Sequence, residues 1–484
     1  MHHIDYLEES PQFVIVAASL AAACMVFGHP ALFAVGTLGA LMLAALALRS
    51  PWLGALAVFP LAFAIRPAPP DIGVQEAVFA LLVAIVFLKS ISTAAVATGW
   101  SALVHQFGKV LLPAIILVVI NLVVAASHGV GLADWLRGLI PFLFILLFIP
   151  VALAIDRRPE RIRWLGLSIG ALITLLAGHI VIFYLANELH HPYWWVLQDG
   201  VPQRIPEELV VLHAEANGPI LDRITVHIQS ATDALLPVGV VAGFVVAALA
   251  RDYRVASLGF SLSALALGAV LMTYTRSMLL SAVVVLAIFV PYVAFSRKNL
   301  SRAVCLLLGL AIVGAAVIAV LNIESMWGYR MGRLSEALLA DGGRSSVATR
   351  LEEYRIAWGR FIEYPLLGDG LGAKHAIEFM GPEGVVEQQV AYIHNWPLYF
   401  LMATGGVGFL AYAWVVLAPA FIHPSSIRHD GMAFAVLRAA ILTMAIYGLF
   451  FAVFRLITFN LLLAAAWGVV LAGNRLPRHS SLSA

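Results

Sequence analysis

Charge is what this sequence lacks most. Only 12% of its 484 residues are charged, while 62% are hydrophobic. A soluble globular chain carries about 25% charged and about 45–50% apolar residues. That imbalance excludes a soluble enzyme and a disordered chain, because the surplus apolar surface must face lipid. An excess of either sign is missing too. The net charge is +2, so there is no basic field to hold a nucleic acid. Cysteine is nearly absent: Cys24 and Cys305 both sit inside apolar runs, which excludes a disulfide framework or a cysteine metal site. The N-terminus is acidic and has no basic signal-peptide region, so the first apolar segment is expected to be retained. Several catalytic signatures are also missing. No Gly-Lys-Ser/Thr follows the Gly-rich stretch at 368–372, no Asp-x-Asp marks a metal-bound nucleotide sugar, and no His-Glu-x-x-His marks a zinc hydrolase. Glu188, His190 and His191 cluster without a third ligand at clear spacing. No repeat of 20–50 residues is visible.

What is abundant is apolar sequence in membrane-length runs. A helix needs roughly 20 apolar residues to cross a bilayer. Fourteen segments qualify: 12–28, 31–48, 51–65, 73–89, 110–126, 138–155, 162–186, 229–250, 255–273, 276–295, 302–321, 394–421, 433–453 and 456–473. The second and third are weakly separated, so twelve to fourteen spans are expected. Basic residues gather at 156–163, 251–254, 296–302 and 475–478. Fourteen spans put all four clusters and both termini on one side, which the positive-inside rule makes cytoplasmic. Two long segments, 187–228 and 322–393, then fall outside. Long polar loops in a compact membrane protein are usually functional.

Several arginines lie at the outer ends of spans, against that bias: Arg66, Arg137, Arg223, Arg276 and Arg455. An isolated one is ordinarily a snorkelling residue. Arg276 is harder to dismiss, because the Thr273-Tyr274-Thr275-Arg276-Ser277 hairpin leaves it little room to reach water. A guanidinium pairs well with phosphate oxygens, so a set of outer arginines suits a diphosphate head group whose tail lies in the bilayer. Within the larger loop, Val347, Leu351, Tyr354, Trp358 and Phe361 recur at helical spacing. This predicts an amphipathic helix over 346–363, with Arg350, Glu353 and Arg360 on its other faces. A surface helix with solvated charges is the ordinary reading. Pro365 stops it, and Gly368, Gly370 and Gly372 permit tight turns. The loop closes at His394-Asn395-Trp396. A neutral imidazole there is a natural general base for a hydroxyl, with His375 a weaker candidate. Asn395 serves equally as a ligand for substrate or as a helix cap.

These residues resemble a known family. His394-Asn395, nine residues, then Gly405-Gly406-Val407-Gly408 is similar to the His-[Asn/Ser/Gln]-x9-Gly signature of bacterial O-antigen ligases. Upstream, Arg350, Trp358, Pro365 and the Gly368-x-Gly370 turn follow the same pattern, as does the Thr275-Arg276-Ser277 hairpin. The resemblance covers about 220–470 and extends to Wzy-type polysaccharide polymerases.

The resemblance implies an all-α integral membrane fold, GT-C-like, with 12–14 spans. One polytopic domain covers 1–484, with a first periplasmic loop at 187–228 and a large one at 322–393 carrying site residues. It implies a metal-free, cofactor-free glycosyltransferase of the bacterial inner membrane. The enzyme would move a glycan from undecaprenyl diphosphate to an acceptor hydroxyl at the periplasmic face. The acceptor would be lipid A–core for a ligase, or a second lipid-linked glycan for a polymerase, which can work with a chain-length regulator. His394 would be the catalytic base. Arg276, Arg350 and, on a looser match, Arg223 would bind the diphosphate. Asn395, Tyr274, Arg355 and Trp358 are further candidate substrate contacts. The competing class is a transporter or flippase of lipid-linked glycans. Such a protein places ionisable residues at mid-span, where only His179 and Glu76 are candidates.

Overall fold

The computed structural model describes residues 11–26, 30–65, 73–188, 195–198, 201–204, 233–273, 275–297, 300–320, 346–381, 384–423 and 431–472. Its helices, in chain order, are α1 (Pro11–Val26), α2 (Pro30–Arg49), α3 (Pro51–Leu61), α4 (Val74–Thr98), α5 (Trp100–Ser127), α6 (Leu132–Leu143), α7 (Phe148–Arg157) and α8 (Arg161–Glu188). After these come α9 (Leu236–Leu249), α10 (Tyr253–Met272), α11 (Arg276–Arg297), α12 (Leu300–Val320), α13 (Ser346–Glu363), α14 (Trp396–Phe421), α15 (Gly431–Tyr447) and α16 (Ile457–Leu471). Two antiparallel hairpins complete the described elements: β1 (Trp195–Gln198) with β2 (Val201–Arg204), and β3 (His375–Gly381) with β4 (Gly384–Val390).

Among the described residues, eight segments are long and apolar enough to cross a membrane: α2, α4, α5, Leu132–Arg157, Arg161–Ile182, α10, Leu300–Ala319 and α14. Six shorter apolar helices coincide with the remaining expected segments. This is an all-α integral membrane protein. Its surface carries the apolar side chains that water would not tolerate. On α12, Leu300, Val304, Leu308 and Ile312 form an exposed stripe at every fourth position.

The weak boundary between α2 and α3 is real: Ser50 is extended and Pro51 opens the next helix. Leu132–Arg157 is interrupted by a 3-10 stretch at Phe144–Leu147. Pro150 explains part of this, since its missing N–H cannot serve the carbonyl of Leu146.

The interior centres on α9 and α16, which are buried on nearly every face. α9 lies against α10 at backbone distance. A Cβ on Gly243 would stand 2.6 Å from the Gly259 carbonyl oxygen, and Ser263 donates to the Val240 carbonyl at 2.6 Å. Small residues let helices meet this closely in lipid. α10 and α11 are joined by a short turn, so Arg276 stands at one end of the pair. Arg251, Arg254 and Arg302 stand at the other end.

A candidate site where helix ends meet

The site forms where the starts of α11, α14 and α16, the end of α15 and one face of α13 come together. α14 begins at Trp396. Asn395 caps it by accepting from the Leu398 amide at 3.0 Å, and donates its own side-chain amide to the Leu449 carbonyl at 3.1 Å. Trp396 ties α14 to α15 through its indole, which donates to Ala445 at 3.0 Å. The residue just before this cap is His394, and its position is therefore fixed from both sides.

Glu353 of α13 holds His394 directly. Its carboxylate accepts from the His394 backbone amide at 3.0 Å and from Nδ1 at 2.9 and 3.0 Å. Glu353 is fully buried, while the imidazole keeps about a quarter of its surface exposed. A carboxylate can only accept, so Nδ1 carries the proton and Nε2 is left as the basic nitrogen. Tyr392 and Phe451 flank the ring edge-on at 5.3 and 5.6 Å. Arg455 lies over the Tyr392 ring, 4.6 Å from its centre. Burial pushes the Tyr392 phenol above its ordinary pKa. Arg455 opposes that shift and Glu353 adds to it.

α13 presents its faces the opposite way round from a surface helix with solvated charges. Arg350, Glu353, Ala357 and Arg360 follow one another along its inward side, whereas Leu351, Trp358 and Ile362 are exposed. Arg350 comes close enough to Arg276 for the two guanidinium charges to repel. Of the residues singled out from sequence, the structure thus gathers Arg276, Arg350, His394 and Asn395. Arg355 lies on the exposed side of α13, 3.8 Å from Glu352, and Trp358 is also exposed, against Phe361. Arg223 and Tyr274 lie outside the described residues, as does Arg66. Arg137 is exposed on α6.

Glu353 is the residue that sequence reasoning missed. Its position three residues after Arg350 put it on a recognisable face, but a lone glutamate in an amphipathic helix gives no sign of burial. Arg455 also joins the group without any motif to announce it. His375 is buried, and neither ring nitrogen has a partner among the described residues. Burial holds its pKa below the ordinary imidazole value. Glu353 opposes that shift and Arg360 adds to it.

The glycines secure this arrangement from below. α14 breaks at Gly405, which adopts φ +63° and ψ −170°, a conformation open almost only to glycine. The amides of Gly406 and Val407 turn away from the helix and donate to Pro365 and Leu366 at 2.8 and 3.3 Å. The carbonyls they would have served, on Met402 and Ala403, accept instead from Asp369 and Gly370 at 2.9 and 3.1 Å. The 365–372 turn and the broken helix thus exchange backbone hydrogen bonds. Asn121 of α5 closes the junction. It donates to Ala403 at 2.9 Å and accepts from Leu371 and the Trp135 indole. Irregular backbone is tolerated at membrane depth only when protein satisfies it in this way. Arg360 reaches back from α13 to the buried Asp369 at 2.6 Å. Small residues such as Gly405, Gly406 and Gly408 ordinarily bring helices together in lipid. At Gly405 the partner is the turn: an added Cβ would collide with the Leu366 carbonyl.

The two ionisable residues weighed for a transporter lie on α4 and α8. Glu76 caps the first turn of α4, accepting from the Gly73 amide, and His179 packs edge-on against Phe63.

A polytopic membrane protein with a buried carboxylate–imidazole pair and two arginines at the helix ends is defined by these observations. Residues 261–413, roughly a third of the chain, match the model of the O-antigen ligase family. The matched segment runs from within α10 into α14 and contains Arg276, Arg350, Glu353, His394 and Gly405. No curated protein matches the chain. That likeness supports a membrane glycan ligase or polymerase of glycosyltransferase type.

Proposed function

We propose that the protein transfers a glycan from undecaprenyl diphosphate to an acceptor hydroxyl at the periplasmic face of the bacterial inner membrane. Both termini then lie in the cytoplasm. The observation that carries this reading is the grip of buried Glu353 on His394, with Arg276 and Arg350 close together at the same helix ends.

The acceptor hydroxyl gives its proton to His394 Nε2 as its oxygen attacks the anomeric carbon. The bond from that carbon to the diphosphate oxygen breaks, and the electron pair leaves with undecaprenyl diphosphate. Two neighbouring guanidinium groups match the charge of a diphosphate, and do so more strongly as its charge grows. This stabilises the transition state over the ground state. Glu353 compensates the imidazolium that forms. Diphosphate is a good leaving group, so no general acid is needed. Attack opposite to it inverts the anomeric configuration, and a retained linkage in the product would overturn direct displacement. The acceptor is lipid A–core if the protein is a ligase and a second lipid-linked glycan if it is a polymerase; the histidine motif favours the ligase.

The test is transfer by purified protein in nanodiscs from an undecaprenyl-diphosphate oligosaccharide. Lipid A–core and a second donor molecule would be offered separately, with and without EDTA. Product on lipid A–core identifies a ligase, and a ladder on the carrier identifies a polymerase. Activity that persists in folded His394→Ala sinks the assignment of the base.

A further inference from the structure

Arg455 joins the site, yet the transfer chemistry derived above gives it no task. It ends the short 3-10 turn Val453–Arg455 that leads into α16, beyond the segment that matches the ligase family. The turn is held on both sides of the arginine. Asn460, fully buried on α16, donates its side-chain amide to the carbonyls of Phe454 and Leu456 at 2.9 and 3.0 Å. Phe454 is buried against Tyr399 and Phe400 of α14, at ring distances of 4.8 and 5.8 Å. A fixed backbone thus presents the guanidinium, half-buried, over Tyr392. Among the described residues no carboxylate pairs with it. A cation drawn out of water without a counter-charge is costly. The tyrosine face offsets part of that cost but carries no net charge, so the place suits an anion that arrives with a substrate.

We propose that Arg455 binds an anionic group, a phosphate or a sugar carboxylate, on the acceptor glycan beside the hydroxyl that His394 deprotonates. The inference rests on the transfer reading above. Position selects the acceptor over the donor. The charge that acts on Arg276 is that of Arg350, whereas the charge of Arg455 acts on Tyr392 and Tyr399. Tyr392 in turn lies edge-on to the His394 ring. Arg455 therefore stands on the side of the base. In-line displacement puts the attacking hydroxyl and the departing diphosphate on opposite faces of the anomeric carbon, so a cation beside the base meets the acceptor. An acidic acceptor is then held at two points, its hydroxyl at Nε2 and its anion at the guanidinium. A neutral acceptor leaves the cation unmatched, and that difference is a source of selectivity.

Arg455→Gln and Arg455→Lys test this in nanodiscs with the donor unchanged. The acceptors are lipid A–core before and after phosphatase treatment, and a second lipid-linked glycan before and after reduction of its carboxyl groups. With the untreated acceptor that the protein uses, Arg455→Gln should raise the acceptor KM about tenfold, the scale of one charged hydrogen bond. Arg455→Lys should recover most of that loss, and the donor KM should stay unchanged. Removing the acidic groups should cost the parent protein a similar factor and Arg455→Gln nothing further. A raised donor KM would assign Arg455 to the diphosphate and overturn the proposal. Equal losses with treated and untreated acceptors would mark a structural role through Tyr392 and overturn it as well. So would an acceptor used equally well by the parent without its acidic groups. A second measurement does not need transfer. Thermophoresis without donor should show the same untreated acceptor bound about tenfold more weakly by Arg455→Gln, with binding of undecaprenyl diphosphate unchanged. That pattern in a protein that transfers nothing would leave the Arg455 contact standing and remove the transfer reading.

Discussion

Glu353 and His394 set the terms at the level of single residues. If the carboxylate fixes the ring and balances its charge, Glu353→Gln keeps a hydrogen-bond acceptor but loses the charge. Transfer kinetics should show kcat lowered by about 10²-fold, the lower range for a general base, with KM for the donor little changed. An unchanged kcat would reduce Glu353 to a packing residue. Arg276→Lys keeps charge but not the planar fork, and kcat/KM for the donor should fall about tenfold. Full activity would remove paired guanidinium–phosphate contact there. His375 gives a stability prediction. Its folded pKa is depressed below 6.5 by burial, so the unfolded chain takes up a proton that the folded chain refuses. The contribution to stability is present above pH 6.5 and is lost as pH falls below it. Replacing a buried group that has no partner costs little. Thermal unfolding of His375→Leu should therefore match or exceed the parent at pH 7.5 and be less acid-sensitive. Steeper acid sensitivity in the variant would contradict this.

At the level of elements, α13 and the break in α14 show what a sequence reveals and what it conceals. The helix over 346–363 was legible from its periodicity, and its termination from Pro365. Which face turned inward was not legible. In water the apolar stripe of Leu351 and Trp358 would be buried, but beside lipid it can stay outside while Glu353 goes in. Periodicity cannot tell these solvents apart. The β3–β4 hairpin was missed although Gly381-Pro382-Glu383-Gly384 carries turn residues, because helical periodicity had set the expectation for the loop. The glycines after His394 were visible as a motif. Their purpose was not, since it depends on a segment some forty residues upstream. Gly405→Ala tests that purpose. The strained backbone alone costs about 1–3 kcal/mol, and the clash with Leu366 adds to it. The variant should lose thermal stability and transfer together. Gly406→Ala meets only the Pro365 carbonyl at 3.4 Å and should be far milder. Equal effects of the two would argue against the exchange of hydrogen bonds at this turn.

The whole molecule reads most clearly in its hydropathy. Each of the fourteen expected segments finds an apolar helix, because lipid forces every backbone group to be satisfied within its own segment and so makes hydropathy nearly sufficient. Arrangement among the helices was beyond reach, since it rests on close approaches such as Gly243 on Gly259 that leave only small-residue spacing in the sequence. Sidedness is testable by single-cysteine labelling of intact cells, with Cys24 and Cys305 replaced. Positions beside Arg158, Arg251 and Arg302 should be shielded from an impermeant reagent. Positions near Gly129 and Lys374 should react with it. The reverse pattern would place the site in the cytoplasm.

The traded hydrogen bonds between the 365–372 turn and α14 also bear on how the chain is made. Once α14 adopts its break, two amides and two carbonyls leave the helix and hydrocarbon cannot satisfy them. Their partners were synthesised earlier, in a segment too polar to have entered the bilayer by itself. The break in this span and the docking of the preceding loop must then form as one event. His394 reaches its place only when that event is complete, so a chain halted halfway through assembly is also one that carries no formed site.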